Sequence, residues 1–218
     1  MDPTSKLIIS LVQTHQRDQE AANRLLADFA ARTQRAVPRL LTTDEHAAYK
    51  TAILKVYGLD HRPRRRRKVG RKRKMIKVCP PGLTYATVHK TRLRGRVVEI
   101  EPRLVLGKPE GLTTALMASG ASQQVNTSFV ERLNGTARHF NARKRRKTYA
   151  FSKQMPEHEA LSWLMVTHYN FCWPHRMLRV PTGYRTYQRR SPAMAARLAD
   201  HVWTVAEWLL RPVHASDS

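Results

Sequence analysis

Apolar positions change their spacing several times along the chain. "SKLIISLVQ" (5–13) is a short run of Ile, Leu and Val, which predicts a buried strand. "RDQEAANRLLADFAART" (17–33) switches to helical period, with Ala22, Leu25, Leu26 and Phe29 as one stripe and Asp18 as N-cap. "VPRLLTTDEHAAY" (37–49) predicts a second strand that breaks into a polar turn at Asp44, and "EHAAYKTAILKVYG" a helix after it. Strand, helix, strand over so short a span is a βαβ unit, for which the right-handed crossover favours parallel pairing. "TYATVHKTRLRGRVVEIEPRLVLG" (84–107) alternates as β-structure, with Gly95 between two arginines as the turn. From about residue 126 the pattern is helical. "EHEALSWLMVTHYNF" (157–171) places Leu161, Leu164, Met165, His168 and Phe171 in a core helix, His168 as a satisfied core histidine. Ser191-Pro192 and the capping box "TVAE" (204–207) start two further helices.

With 218 residues and 41% apolar content the chain can bury a core. Its formal charge of +24 and pI near 11.1 call for a polyanionic partner. Nucleic acid comes first. A membrane is weakly supported, because no apolar run approaches the ~20 residues of a spanning helix and no basic amphipathic helix stands out. Cys79 and Cys172 lie far apart and lack zinc-finger spacing, which argues against a disulfide framework and a structural zinc. Residues 1–60 hold eight Lys/Arg against seven Asp/Glu, so nearly all the charge lies beyond them. Its densest part is "HRPRRRRKVGRKRK" (61–74), with Arg62, Arg64, Arg65, Arg66, Arg67, Lys68, Arg71, Lys72, Arg73 and Lys74. That block reads as a solvated loop or linker that orders on DNA.

In "NTSFVERLNGTARHFNARKRRKT" (126–148) Glu131 is the one acid, followed by Arg132, Arg138, Arg143, Lys144, Arg145, Arg146 and Lys147. On a helical wheel Phe129, Val130, Leu133, Ala137 and Phe140 span one apolar face of about 100°. Glu131 points away from it, with Asn134 and Arg138 along its own polar line. Glu131 is therefore not a core residue; it is either a solvated carboxylate among bases or a carboxylate facing a cleft. Asp44 also has two readings, an Asx-turn or helix cap and a ligand at the carboxyl end of a strand. A hard divalent ion takes oxygen ligands, and two Mg²⁺ about 4 Å apart promote in-line phosphoryl transfer. Such sites draw carboxylates from a strand end and a later helix, the positions of Asp44 and Glu131.

"LTTDEHAAY", "NTSFVERLNGT", "NARKRRKTYAFSK", "HYNFCWP" and "SPAMAARLADHVWTVAEWL" together resemble bacterial insertion-sequence transposases of the acidic-triad type. The resemblance runs with gaps through 2–58 and 79–210. It implies an α/β, RNase H-like (integrase-like) mixed sheet with flanking helices and a C-terminal helical extension. It makes Asp44 the second acid and Glu131 the third, together holding Mg²⁺ or Mn²⁺. Asn134 and Arg138 would line that site, and the bases of 61–74 and 143–147 would contact phosphates. The partners implied are transposon ends and target DNA, with a homo-oligomer and no membrane, in a cytoplasmic, nucleoid-associated setting. The family's first Asp lies in an opening strand before the segment resembling "MDPTSKLI", so the chain is expected to start after that strand and to be inactive alone. Asp2 does not take the missing role. The expected organisation is a partial core over 1–60, a basic linker or insertion over 61–78, the rest of the core over 79–172 and helices over 173–218. An inactive transposase relic, or a non-catalytic basic nucleic-acid-binding protein, is the alternative.

Overall fold

The computed structural model describes residues 1–63, 73–145, 147 and 149–211. The chain is mixed α/β and falls into two compact units, Ser10–Arg132 and Met1–Ile9 with Leu133–Ser218.

In the first unit, α1 (Gln19–Arg32) starts where Asp18 accepts a hydrogen bond from the Ala21 amide. Its spacing of four buries Ala22, Leu26 and Ala30. These side chains pack with Ala48, Ala52, Ile53 and Tyr57 of α2 (Ala48–Tyr57). Between the helices in sequence lies β1 (Leu40–Asp44). After α2 come β2 (Leu59–His61) and β3 (Ile76–Val78), an antiparallel pair whose connection holds the basic block. The long hairpin of β4 (Thr84–Leu93) and β5 (Arg96–Leu106) follows, turning at Arg94 and Gly95, both in the left-handed region at φ 49° and 80°. Two successive positive φ angles are what a type I′ two-residue hairpin turn requires. β1 pairs in parallel with β4, so the sheet order is β1-β4-β5.

Strand alternation divides this sheet cleanly. Tyr85 and Leu41 join the cluster under α1 and α2. Ala86, Val88 and Leu40 face the other way and pack with Val125 and with Leu112 and Leu116 of α3 (Pro109–Met117). Helices and apolar chain thus cover both faces of the sheet's base, while the far end of the β4–β5 hairpin stands exposed.

The division between the units falls inside α4 (Ser128–Phe140). In the second unit, α5 (Met155–Thr167) buries Ser162, Met165 and Val166 and runs into a π-turn over His168–Cys172. His168 is half-buried and stands edge-on to Phe140, which also meets Trp173 edge-on at 4.8 Å. Leu164, expected in the core, is 51% exposed. A short hairpin, β6 (Val180–Gly183) and β7 (Thr186–Gln188), follows, then α6 (Pro192–Ala195) and α7 (Val205–Leu210). The expected caps form: Ser191 accepts from the Met194 amide, and Thr204 and Glu207 close the capping box.

Two expectations fail. Residues 5–13 form no strand. The Asn170 side chain makes both hydrogen bonds to Ile8 that a neighbouring strand would supply, and residues 1–9 belong with the carboxyl-terminal unit, so no βαβ unit opens the chain. Nor is 173–218 purely helical, because Val180, Thr182, Thr186 and Tyr187 are strand-favouring residues bracketing a tight turn.

Candidate functional site

Asp44 ends β1 and pairs in register with Val88 of β4. Two residues further along β4 stands Lys90, on the same sheet face as Val88 and Asp44; repeat and strand spacing put the Asp44 and Lys90 Cα atoms about 8 Å apart. Lys90 Nζ donates to Glu131, in the first turn of α4, whose Oε1 also accepts from Thr127 Oγ1 at 3.2 Å. The two candidate acids therefore meet the same strand pair, Asp44 through the backbone ladder and Glu131 through Lys90. Both carboxylates are more than half exposed.

Each acid has a basic partner. Arg17 Nη2 donates to both Asp44 oxygens, at 2.7 and 2.6 Å, and this bond is the main reason the guanidinium holds its proton more tightly than usual. Asp44 does not cap α2, whose N-cap is Ala47 without a side-chain bond, so the capping reading is set aside. Arg17 lies 5.9 Å from the Tyr49 ring centroid, and both line a cavity of about 120 Å³ with Thr14, Asp18 and His46. His46 Nδ1 is buried without a hydrogen-bond partner.

No protein family, curated protein or solved structure matches the chain.

On the opposite sheet face a second set of charges is self-contained. Glu45 takes His89 Nδ1 at 2.5 Å and Arg103 Nη1 at 3.1 Å, and Arg103 also reaches Glu101 at 3.3 Å. The bond to His89, ahead of the Arg103 charge, holds the Glu45 carboxyl below the usual range. Among the described residues no three His, Cys, Asp or Glu side chains form a metal-holding group.

The expected DNA contacts are distributed over both units. Arg62, Arg73 and Lys74 are exposed where the connection leaves and rejoins β2 and β3, and Arg62 Nε lies 3.2 Å from Met75 Sδ. Arg64, Arg65, Arg66, Arg67, Lys68, Arg71, Lys72 and Arg146 lie outside the described residues. Asn134 and Arg138 are exposed on the part of α4 that belongs to the second unit. Arg143, Arg145 and Lys147 are exposed there too, whereas Lys144 is half-buried and its ammonium pKa is lowered by that burial. Asp2 is engaged in a local turn, accepting from the Thr4 and Ser5 amides at 3.1 and 2.8 Å. Burial raises its pKa, but these bonds and the Ser5 hydroxyl outweigh it and leave the carboxyl below its ordinary range.

Sequence reasoning missed Arg17 and Lys90. Lys90 had a signal, being the charged residue that continues the buried alternation of Ala86 and Val88. Arg17 had none, because its partner lies 27 positions away across a helix.

Proposed function

We propose that the chain acts on DNA as part of an insertion-sequence transposase with an RNase H-like core, its phosphoryl-transfer site including Asp44 and Glu131. The observation that carries this reading is that Asp44, at the carboxyl end of the parallel strand β1, and Glu131 of α4, through Lys90, both meet the strand pair β1–β4, where α/β sheets gather their chemistry. The excess of 40 Lys/Arg over 16 Asp/Glu supplies the affinity for a phosphate backbone. Both acids are exposed oxygen donors of the kind Mg²⁺ or Mn²⁺ takes, so they fit as two of its ligands. When bound, the ion supplies charge stabilisation for phosphoryl transfer. Asp44 and Glu131 hold it, and Arg17 and Lys90 neutralise them in its absence.

Two measurements test the reading. Free Mn²⁺, followed by its electron paramagnetic resonance signal, should fall on adding the chain and recover with Asp44→Asn or Glu131→Gln. Duplex DNA should bind with an affinity that falls steeply with salt, by about 0.9 in log–log slope per phosphate neutralised. Equal Mn²⁺ uptake by wild type and both variants would remove the metal site.

A second reading, a non-catalytic basic DNA-binding protein, is favoured by the ion pairs that already occupy both acids. It predicts the same salt dependence with no Mn²⁺ uptake at these residues.

A further inference from the structure

The hairpin of β6 and β7 contributes nothing to a core. Every residue from Arg179 to Arg189 is exposed, and strands of four and three residues are too short to be stable by pairing alone. Arginine–tyrosine stacking props the hairpin instead. The Arg179 guanidinium lies 4.1 Å from the Tyr187 ring centroid, and that of Arg185 5.3 Å from Tyr184. A ring face orients a guanidinium without cancelling its charge, so the N–H fork stays open to an oxyanion.

The charge is of one sign. No Asp or Glu occurs between Glu159 and Asp200, while Arg176, Arg179, Arg185 and Arg189 are all exposed. At the tip, Arg185 holds a left-handed backbone at φ 58°, where glycine is the low-cost residue. Beside it Tyr184 is 87% exposed. Apart from stacking on each other, this arginine and tyrosine bury nothing in a core, and backbone strain of this kind points toward function.

We propose that the β6–β7 hairpin is a DNA-gripping element, with Arg179 and Arg185 on backbone phosphates and Tyr184 against the nucleotide surface. A two-stranded ribbon fits the major groove, which is about 12 Å wide, and aromatic side chains offer bases a stacking surface. An anionic membrane shares the charge complementarity, but the strands present only Val180 and Pro181 as aliphatic residues, beside Thr182, Thr186, Tyr187 and Gln188 and flanking arginines, without the broad apolar face that interfacial insertion uses. The proposal rests on the DNA-binding part of the function above and is independent of its phosphoryl-transfer chemistry.

The test is fluorescence anisotropy of the full chain with a labelled duplex across a salt series. Arg179→Ser/Arg185→Ser should weaken binding about tenfold at moderate salt and reduce the log–log slope by about 2, the loss of two phosphate contacts. Tyr184→Ala should weaken binding with an unchanged slope. Lys50→Gln/Lys55→Gln, an equal charge loss on α2, should shift the slope by less than one. Circular dichroism should show all variants melting with wild type. If the double arginine variant melts early, a benzophenone photocrosslinker at position 184 decides: crosslinking into DNA supports the proposal, and crosslinking only into a second copy, or none, overturns it. Equal losses in the hairpin and α2 variants would reduce the effect to bulk charge and overturn it. Wild type that binds but is unaffected by the hairpin changes overturns this proposal alone, whereas wild type that does not bind DNA removes the wider reading with it. Hairpin-dependent sedimentation with phosphatidylserine vesicles, with DNA binding unchanged, would assign the element to membranes instead.

Discussion

The Asn170 side chain holds the backbone of Ile8 in both directions: Nδ2 donates to the Ile8 carbonyl and Oδ1 accepts from the Ile8 amide, each at 3.0 Å. The two residues are buried and separated by 162 positions. Asn170→Ala should therefore lower the stability of the amino-terminal attachment by about 2–3 kcal/mol, because it strands a buried donor and a buried acceptor as well as removing two bonds. Urea denaturation followed by tryptophan fluorescence measures the loss, and a midpoint unchanged from wild type would contradict it.

That contact also marks where sequence reading fails. An apolar run such as "SKLIISLVQ" reads as a strand whenever its backbone partner is left unspecified, and an asparagine far along the chain cannot be anticipated from local pattern. Local signals fared better: Asp18, Ser191 and Thr204 each cap the helix they head, and the Gly95 turn closes the β4–β5 hairpin. The exposure of Glu131 followed from helical period, and the strand end at Asp44 from the break in apolar pattern. Their ion pairs with Lys90 and Arg17 did not, since each depends on long-range register.

Lys90 competes with any cation for Glu131. If Glu131 is a metal ligand, Lys90→Met should raise Mn²⁺ affinity by about 1.4- to fivefold, the range set by exposed ion pairs worth roughly 0.2–1 kcal/mol. Arg17→Gln should act in the same direction through Asp44. Weaker Mn²⁺ binding by both variants would show that these bases position the acids and do not block them.

His201 sits between two carboxylates, with Nδ1 at 2.6 Å from Asp200 and Nε2 at 2.9 Å from Glu207, the residue that completes the α7 capping box. The Asp200 bond, then the Glu207 bond, raises the imidazole pKa above its ordinary 6.5. A raised folded-state pKa gives stability that is complete below the unfolded value and lost as pH climbs through the folded one. Amide exchange across Val205–Leu210, corrected for its intrinsic pH dependence, should therefore quicken as pH rises from the ordinary imidazole range through the raised folded-state value. His201→Gln should flatten that profile; a profile identical in both proteins would count against the clamp.

Gly107 directly follows β5 at φ 97°, and a Cβ there would stand 2.8 Å from the Leu83 carbonyl oxygen and 3.1 Å from Thr84 Cα. Both obstacles are backbone, so neither can swing aside. Gly107→Ala should cost about 2 kcal/mol or more through strain and displacement of β4. Gly120→Ala, with open space around it and no positive φ, should stay within about 0.5 kcal/mol of wild type. Thermal melts of the pair separate the two cases.

The pairing of β2 with β3 has a consequence for covalent continuity. Leu59, Asp60 and His61 are laddered to Val78, Lys77 and Ile76, and β1, before the basic connection, is laddered to β4, after it. The peptide bonds of the connection are thus not what keeps the two sides together. Trypsin cleavage between Arg62 and Lys74 should leave two fragments that co-elute under native conditions and separate only in denaturant. The same two pieces, expressed from separate reading frames, should reassemble into one protein.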